Sequence, residues 1–271
     1  IGMFSMRSVL NIFFLVVVFL AAQRVYSQER IKDFYLSNYK EDGSQDWEMQ
    51  GVEATVHNEN VDIDKMKAKY YTEGDTITVQ SEKAKLNKKN LDVFLKDNVH
   101  IENSQGAKLL TDSLNWKKEA NSVKTDDWVE VTNESMQIKA KGLAADTQLK
   151  KVDFQKDVEA KLSQEGRESI IITCTGPLEI EGNEGKAVFN DNVVVEHTQG
   201  KMFSDKATVF FDNKEKKILK IVSSGHVKIV KDDNVTFAQK ATYLGNEQRI
   251  VLEGSPRLIY FPKEGEKVPK F

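Results

Sequence analysis

Apolar and polar residues alternate in short runs along this chain, from Ile31 to Phe261. The clearest runs lie between Phe189 and Phe211. Phe189-Asn190-Asp191-Asn192-Val193-Val194-Val195 reads as one strand. A polar gap to Gly200 reads as a turn, and Phe203-Ser204-Asp205-Lys206-Ala207-Thr208-Val209-Phe210 as a second strand. A period of two sends successive side chains to opposite faces, so each run builds a sheet with one greasy side.

The pattern recurs. One half is an apolar residue, a polar stretch holding Asp or Asn, then Val and another apolar residue. It appears as Leu95-Lys96-Asp97-Asn98-Val99-His100-Ile101 and as Phe154-Gln155-Lys156-Asp157-Val158-Glu159-Ala160. Looser copies are Trp128-Val129-Glu130-Val131 and Gly225-His226-Val227-Lys228-Ile229. Asp and Asn tolerate turn conformations, and β-branched residues fit a half-buried strand. The other half is a small residue, an acid or amide, any residue, then Ala or Leu. Its copies begin at Ser81, Thr111, Ser204 and Ala238. Charged turns follow: Asn87–Asn90, Lys117–Asn121, Asp212–Glu215 and Gly245–Glu247. A repeat of roughly 30–35 residues points to a stacked architecture. Strands with one apolar face need a second such face to bury against. Gly-containing turns at Thr175-Gly176-Pro177 and Gly254-Ser255-Pro256 fit sharp reversals at the end of a layer. Asp42-Gly43 is a hairpin signal.

Composition narrows the functions. Charged residues make up 30% of the 271, the net charge is −3, and lysines are interleaved with acids. No basic field for nucleic acid results. Met6-Arg7-Ser8 followed by the apolar run Val9–Ala22 reads as an export signal or a membrane anchor over residues 1–27. Val25-Tyr26-Ser27 offers a small-residue cleavage site. Ser163–Ser169 is the candidate linker between two blocks, and the tail from Pro262 to Phe271 is expected to fray.

Candidate chemistry is sparse. Cys174 is the one cysteine and reads as a small buried side chain. His57, His100, His197 and His226 have no metal-ligand spacing. Asp112 and Asp205 recur at one repeat position and could form a glycosidase pair, but a repeated acid is also a turn or edge device. Lys220, Lys228 and Lys231 read as a solvated face, with a role as cations for phosphate groups the alternative. No catalytic residue, metal or cofactor is expected.

Several motifs, in order, resemble the lipopolysaccharide-export periplasmic bridge proteins, the LptC and LptA (OstA-like) families. Asp42-Gly43, Trp47-x-Met49-x-Gly51 and Ala54, after an N-terminal anchor, look like the start of the LptC type. Thr175-Gly176-Pro177-Leu178, Asn192-Val193-x-Val195, Ser204-Asp205-x-Ala207 and Gly254-Ser255-Pro256-Arg257-Leu258 look like the LptA type. The resemblance implies an all-β fold of stacked antiparallel strands, an open β-jellyroll, behind an N-terminal signal or anchor helix. It implies an LptC-like block over 28–165 and an LptA-like block over 166–271.

The implied function is non-enzymatic. Lipopolysaccharide would be shielded and passed across the periplasm, from an inner-membrane ABC transporter toward the outer membrane. Another bridge protein or the outer-membrane translocon would be met by edge-strand pairing. Groove-lining candidates on this reading are Val99, Ile101, Leu114, Trp116, Val129, Val131, Val193, Val195, Phe203, Val209, Val227, Ile229, Phe237 and Tyr243. Two other readings stay open on the residues alone: a carbohydrate-acting stacked β protein, and a structural surface protein.

Overall fold

The structure, a computed structural model, describes residues 29–72, 74–146, 150–163, 168–212 and 217–261. The leader at 1–27, the middle of the expected linker (164–167), most of the Asp212–Glu215 turn and the tail from Pro262 lie outside the described residues. Among the described residues the chain is strands, plus one 3-10 turn at Gly182–Glu184. No helix there is long and apolar enough to cross a membrane. The chain forms two compact units that divide after Gln155.

The first unit is a meander: β1 (Glu29–Tyr39), β2 (Gln45–Val56), β3 (Asn60–Thr72), β4 (Asp75–Asn87), β5 (Val93–Asn103), β6 (Lys108–Lys117), β7 (Ser122–Thr132), β8 (Met136–Asp146) and the start of β9 (Lys151–Leu162). Each strand from β1 to β8 pairs antiparallel with the next. Asp42-Gly43 makes the β1–β2 turn as expected. Gly43 takes φ 81°, and the Asp42 carboxylate accepts the Ser44 amide at 2.9 Å.

The second unit continues from β9 through β10 (Ile170–Cys174), β11 (Leu178–Glu181), β12 (Lys186–His197), β13 (Gly200–Asp212), β14 (Lys217–Lys231), β15 (Asn234–Leu244), β16 (Arg249–Glu253) and β17 (Arg257–Ile259). All of its pairings are antiparallel too. Each unit is a β-jellyroll of stacked strands.

A bend in mid-strand builds the core. Lys65 on β3, Asp97 and Asn98 on β5, Gly142 on β8, Asp157 on β9, Asp191 and Asn192 on β12, and Gly225 and His226 on β14 all have positive φ. The pairing register skips at the same places, between Gln80 and Lys83, Lys96 and Val99, Asn190 and Val193, and Ser224 and Val227. Asn, Asp and Gly enter the left-handed region at least cost, which is why the repeat carries them there. A bulge with this backbone bends the strand and lets it turn a sheet corner. On β5, Val93 and Leu95 before the bend and Val99 and Ile101 after it are all buried. The two halves of such a strand therefore bury the same side.

In two of the four copies the small residue of the repeat serves this corner, and Thr125 on β7 acts likewise, whereas Ser81 Oγ has no partner among the described residues and Ala238 has no hydroxyl. Ser204 Oγ donates to the Lys206 carbonyl at 3.1 Å, and Thr111 Oγ1 to the Ser113 carbonyl at 3.3 Å. Thr125 Oγ1 accepts the Asp127 amide at 3.1 Å. These buried hydroxyls satisfy backbone groups that the bulge removes from the ladder.

The two Gly-Pro segments differ from expectation. They are not reversals at the end of a layer. β10 and β11 both pair with β12 in one direction, Thr173 opposite Val194 and Leu178 opposite Phe189, with Thr175-Gly176-Pro177 between them. β16 and β17 flank Gly254-Ser255-Pro256 and share β15 in the same way. Each pair is one strand broken at the corner, because proline lacks the ladder N–H and glycine adopts the bend.

Asn98 tests the corner. Asn98→Val places a β-branched residue at φ 55°. It should lower stability by about 1–2 kcal/mol, with Asn98→Gly costing less. Urea unfolding followed by tryptophan fluorescence reads this cleanly, since Trp47, Trp116 and Trp128 all lie in the first unit.

Candidate functional site

Inside each unit the buried side chains line up in rows that run from strand to strand. In the first unit one row is Val56, Val61, Leu86, Val93, Trp116, Val123 and Ala145. Beyond the corner a second joins Met49, Ala68, Val79, Ile101, Leu109, Val131 and Ile138. Between them lies Val99, Thr111, Val129 and Ala140. In the second unit Ala187, Val209, Ile221, Tyr243 and Ile250 form one row, and Val195, Met202, Ile229, Thr236 and Leu258 another.

These rows collect Val99, Ile101, Trp116, Val129, Val131, Val195, Val209, Ile229 and Tyr243 of the sequence-derived groove set. Leu114 joins the interior opposite Leu95, Val193 opposite Ser204, and Val227 opposite Ala238. Phe203 and Phe237 are not brought there. Phe203 lies opposite Val194 and Lys228, and Phe237 opposite Lys228, all on the other face. The reason is loop length. The two-residue loop Thr198-Gln199 pairs His197 with Gly200, which sets Val195 against Met202. Asp232-Asp233 does the same for Lys231 and Asn234. A one-residue slip exchanges the faces. Interior residues outside that set include Val61, Leu86, Val93, Ile138, Met202 and Ile221, and loop counting carries the signal for Met202.

The rows end uncovered. At β1, Leu36 continues the Met49 row and Ile31 lies opposite Ala54, and they are 37% and 41% exposed. At the other terminus Ile250 and Leu258 are 45% and 47% exposed. β1 pairs with β2 on one side, and β16 and β17 pair with β15.

The edge strand β1 is tied to β2 by three carboxylates: Glu53 lies 3.7 Å from Arg30, Asp46 accepts from Asn38 at 3.3 Å, and Glu48 makes the densest set of contacts. Glu48 on β2 accepts the Tyr35 hydroxyl at 2.9 Å and the Gln45 amide at 3.0 Å, and lies 2.8 Å from Lys69 Nζ. The lysine, ahead of the other contacts, holds the Glu48 carboxyl below its ordinary value of 4.5.

The remaining polar candidates do not converge. Among the described residues no cluster of His, Cys, Asp and Glu could hold a metal. Cys174 is buried, its Sγ 3.4 Å from the Gly176 carbonyl, and desolvation pushes its thiol up to about 11, far from a reactive thiolate. Asp205 sits 2.7 Å from His226 Nδ1 on the exposed side of the second unit's corner, while Asp112 lies in the first unit. Lys220 and Lys228 stand over the Phe210 and Phe203 rings at 4.5 and 5.7 Å on the outer face.

The fold and its rows define a stacked β-jellyroll with a continuous apolar interior in each unit and no assembled catalytic centre among the described residues. Residues 26–163 match the family model "Lipopolysaccharide-assembly, LptC-related". Residues 177–268 match "LptA/(LptD N-terminal domain) LPS transport protein". The chain belongs to the LptC-related lipopolysaccharide-assembly family, with an LptA-type block following the LptC-type one. No curated protein matches it. Among solved structures it is similar to LptH from Pseudomonas aeruginosa, described as the LptA homologous periplasmic component of the conserved lipopolysaccharide transport device. That likeness has 10% identity, covers 58% of this chain and 96% of that one, and has a TM-score of 0.33.

The pKa of Glu48 sets a pH response. A carboxyl with a depressed folded pKa contributes stability that is complete above 4.5 and is lost as pH falls through the folded value. Hydrogen exchange of β1 amides should therefore speed up over that acid window more than exchange in β3 to β5. In Glu48→Gln, β1 should exchange faster at neutral pH and show little further change on acidification.

Proposed function

We propose that this protein is a non-enzymatic bridge for lipopolysaccharide. It shields the acyl chains in the interior of its stacked strands and passes the lipid across the periplasm, from an inner-membrane ABC transporter toward the outer membrane. The observation that carries this reading is the set of apolar rows that run from strand to strand and end uncovered at β1 and at β16–β17. Residues 1–27 serve as export signal or anchor, 28–165 as the LptC-like block and 166–271 as the LptA-like block.

The energetics suit a conduit. Burying apolar matter is worth about 0.8 kcal/mol per methylene, so a 12-carbon chain gains on the order of 9 kcal/mol. Interior residues of one chemical kind recur at each strand, so successive positions offer similar energy and no deep trap. Acyl chains enter between the two halves of each bent strand. The uncovered row ends at β1 and β16–β17 pair with edge strands of neighbours, another bridge protein or the outer-membrane translocon. Such pairing joins backbone ladders and apolar rows together. Hydrolysis falls to the transporter, because the chemistry here is burial alone.

A photo-crosslinking amino acid at Val195, with Val194 as the outward control, tests this in cells making lipopolysaccharide. Lipid adducts are expected at Val195 and not at Val194. Folded, exported protein that gives no adduct at Val195 would overturn the reading.

A further inference from the structure

The outer face of the first unit carries a second, polar groove that the lipid reading does not use. It follows one register row over successive strands, from Tyr35 on β1 through Gln50, Lys67, Gln80, His100, Leu110 and Glu130 to Lys139 on β8, polar except at Leu110. With strands ~4.8 Å apart, this row is about 34 Å long. Over most of its length it borders an open groove of about 890 Å³. A smaller recess of about 70 Å³, shared by Gln50 and Lys67, extends it to Tyr35.

We infer that this groove binds an uncharged oligosaccharide. Four features point to that chemistry. First, exposed aromatic rings stand toward its two ends: Tyr35 and, on the Lys139 side, Trp128, each 56% exposed. Sugar C–H faces stack on such rings. The Tyr35 ring is held in place by its hydroxyl, which donates to Glu48 at 2.9 Å. Second, Gln50, Lys67, Gln80 and Lys139 make no side-chain hydrogen bond or ion pair to the described residues. They offer donors and acceptors at regular spacing to hydroxyl groups. Third, the walls balance in charge. Lys65, Lys67 and Lys139 face Glu82, Asp112 and Glu130. A site for a polyanion would carry an excess of cations instead. Fourth, the groove is long and open, which suits an extended chain of rings better than a compact ligand. Asp112 belongs to this wall, so its recurrence in the repeat gains a role at this one corner without any catalytic partner.

The inference does not rest on lipid carriage, because this row and the apolar interior occupy opposite faces of the same strands. Two uncharged soluble probes test it on the full chain: a linear N-acetylglucosamine hexamer and a linear glucose hexamer. Trp47 and Trp116 are buried at 2% and 5% exposure, so a saturable change in tryptophan emission reports Trp128. Saturable binding of either probe is expected, and whichever binds more tightly identifies the class of sugar the groove takes. Trp128→Ala should raise the calorimetric Kd at least tenfold and Gln80→Ala several-fold, with lipid adducts at Val195 unchanged. Phe203→Ala, on the outer face of the second unit, should leave Kd unchanged. No emission change with either probe, or an unaltered Kd in both groove variants, would overturn the inference.

Discussion

The long strands of each unit have to bury one apolar side with no helix among the described residues to cover it. Strands must therefore cover strands. A bend in the middle achieves this only if two conditions hold: the backbone must enter the left-handed region there, and side chains beyond the bend must return to the same face. Asp97-Asn98, Asp191-Asn192 and Gly225-His226 meet the first condition through positive φ. The register skips at the same points meet the second. Without that corner the rows would lie on an open face and the interior would not exist.

The corner also explains why the repeat is conservative in chemistry but loose in spelling. It needs a residue that tolerates positive φ and an outward polar group, and in some strands a small hydroxyl also replaces lost ladder bonds. Ser204, Thr111 and Thr125 supply the hydroxyl in three strands. Where the strand breaks instead, Gly176-Pro177 and Gly254 with Pro256 replace the bulge. In each case the strand resumes on the far side of the bend in the same direction.

The two faces of the first unit then have separate tasks. Its inner rows are apolar, recur from strand to strand and have no capped end at β1. Its outer row is polar apart from Leu110, charge-balanced and flanked by aromatic rings. Glu48 and Tyr35 connect the two, since a contact that helps secure the edge strand also fixes one ring of the outer groove. The state of the β1 edge and the shape of that groove are thus coupled through one carboxylate.

Alternation, the Asp/Asn-bearing repeat and the turn signals were enough, in sequence alone, for an all-β stack. The residues of the Asp42-Gly43 and Trp47–Ala54 region and of the second block pointed to the Lpt families. These features are local, and a strand or a tight turn is written in a few neighbouring residues. Face assignment was legible only in part. Val99, Val129, Val195 and Val209 fell on the interior because alternation alone places them. Phe203 and Phe237 did not, because a two-residue loop decides register and hydrophobicity does not. The corner was harder still. Asp and Asn in a polar gap look like a turn between elements, and only the paired strands on either side reveal one strand bent in two. The outer groove was beyond sequence reading altogether. Its residues are spread from Tyr35 to Lys139, and hydrogen bonding across successive strands brings them into one line. That adjacency is a property of tertiary structure, since no local signal relates side chains that only the ladder makes neighbours.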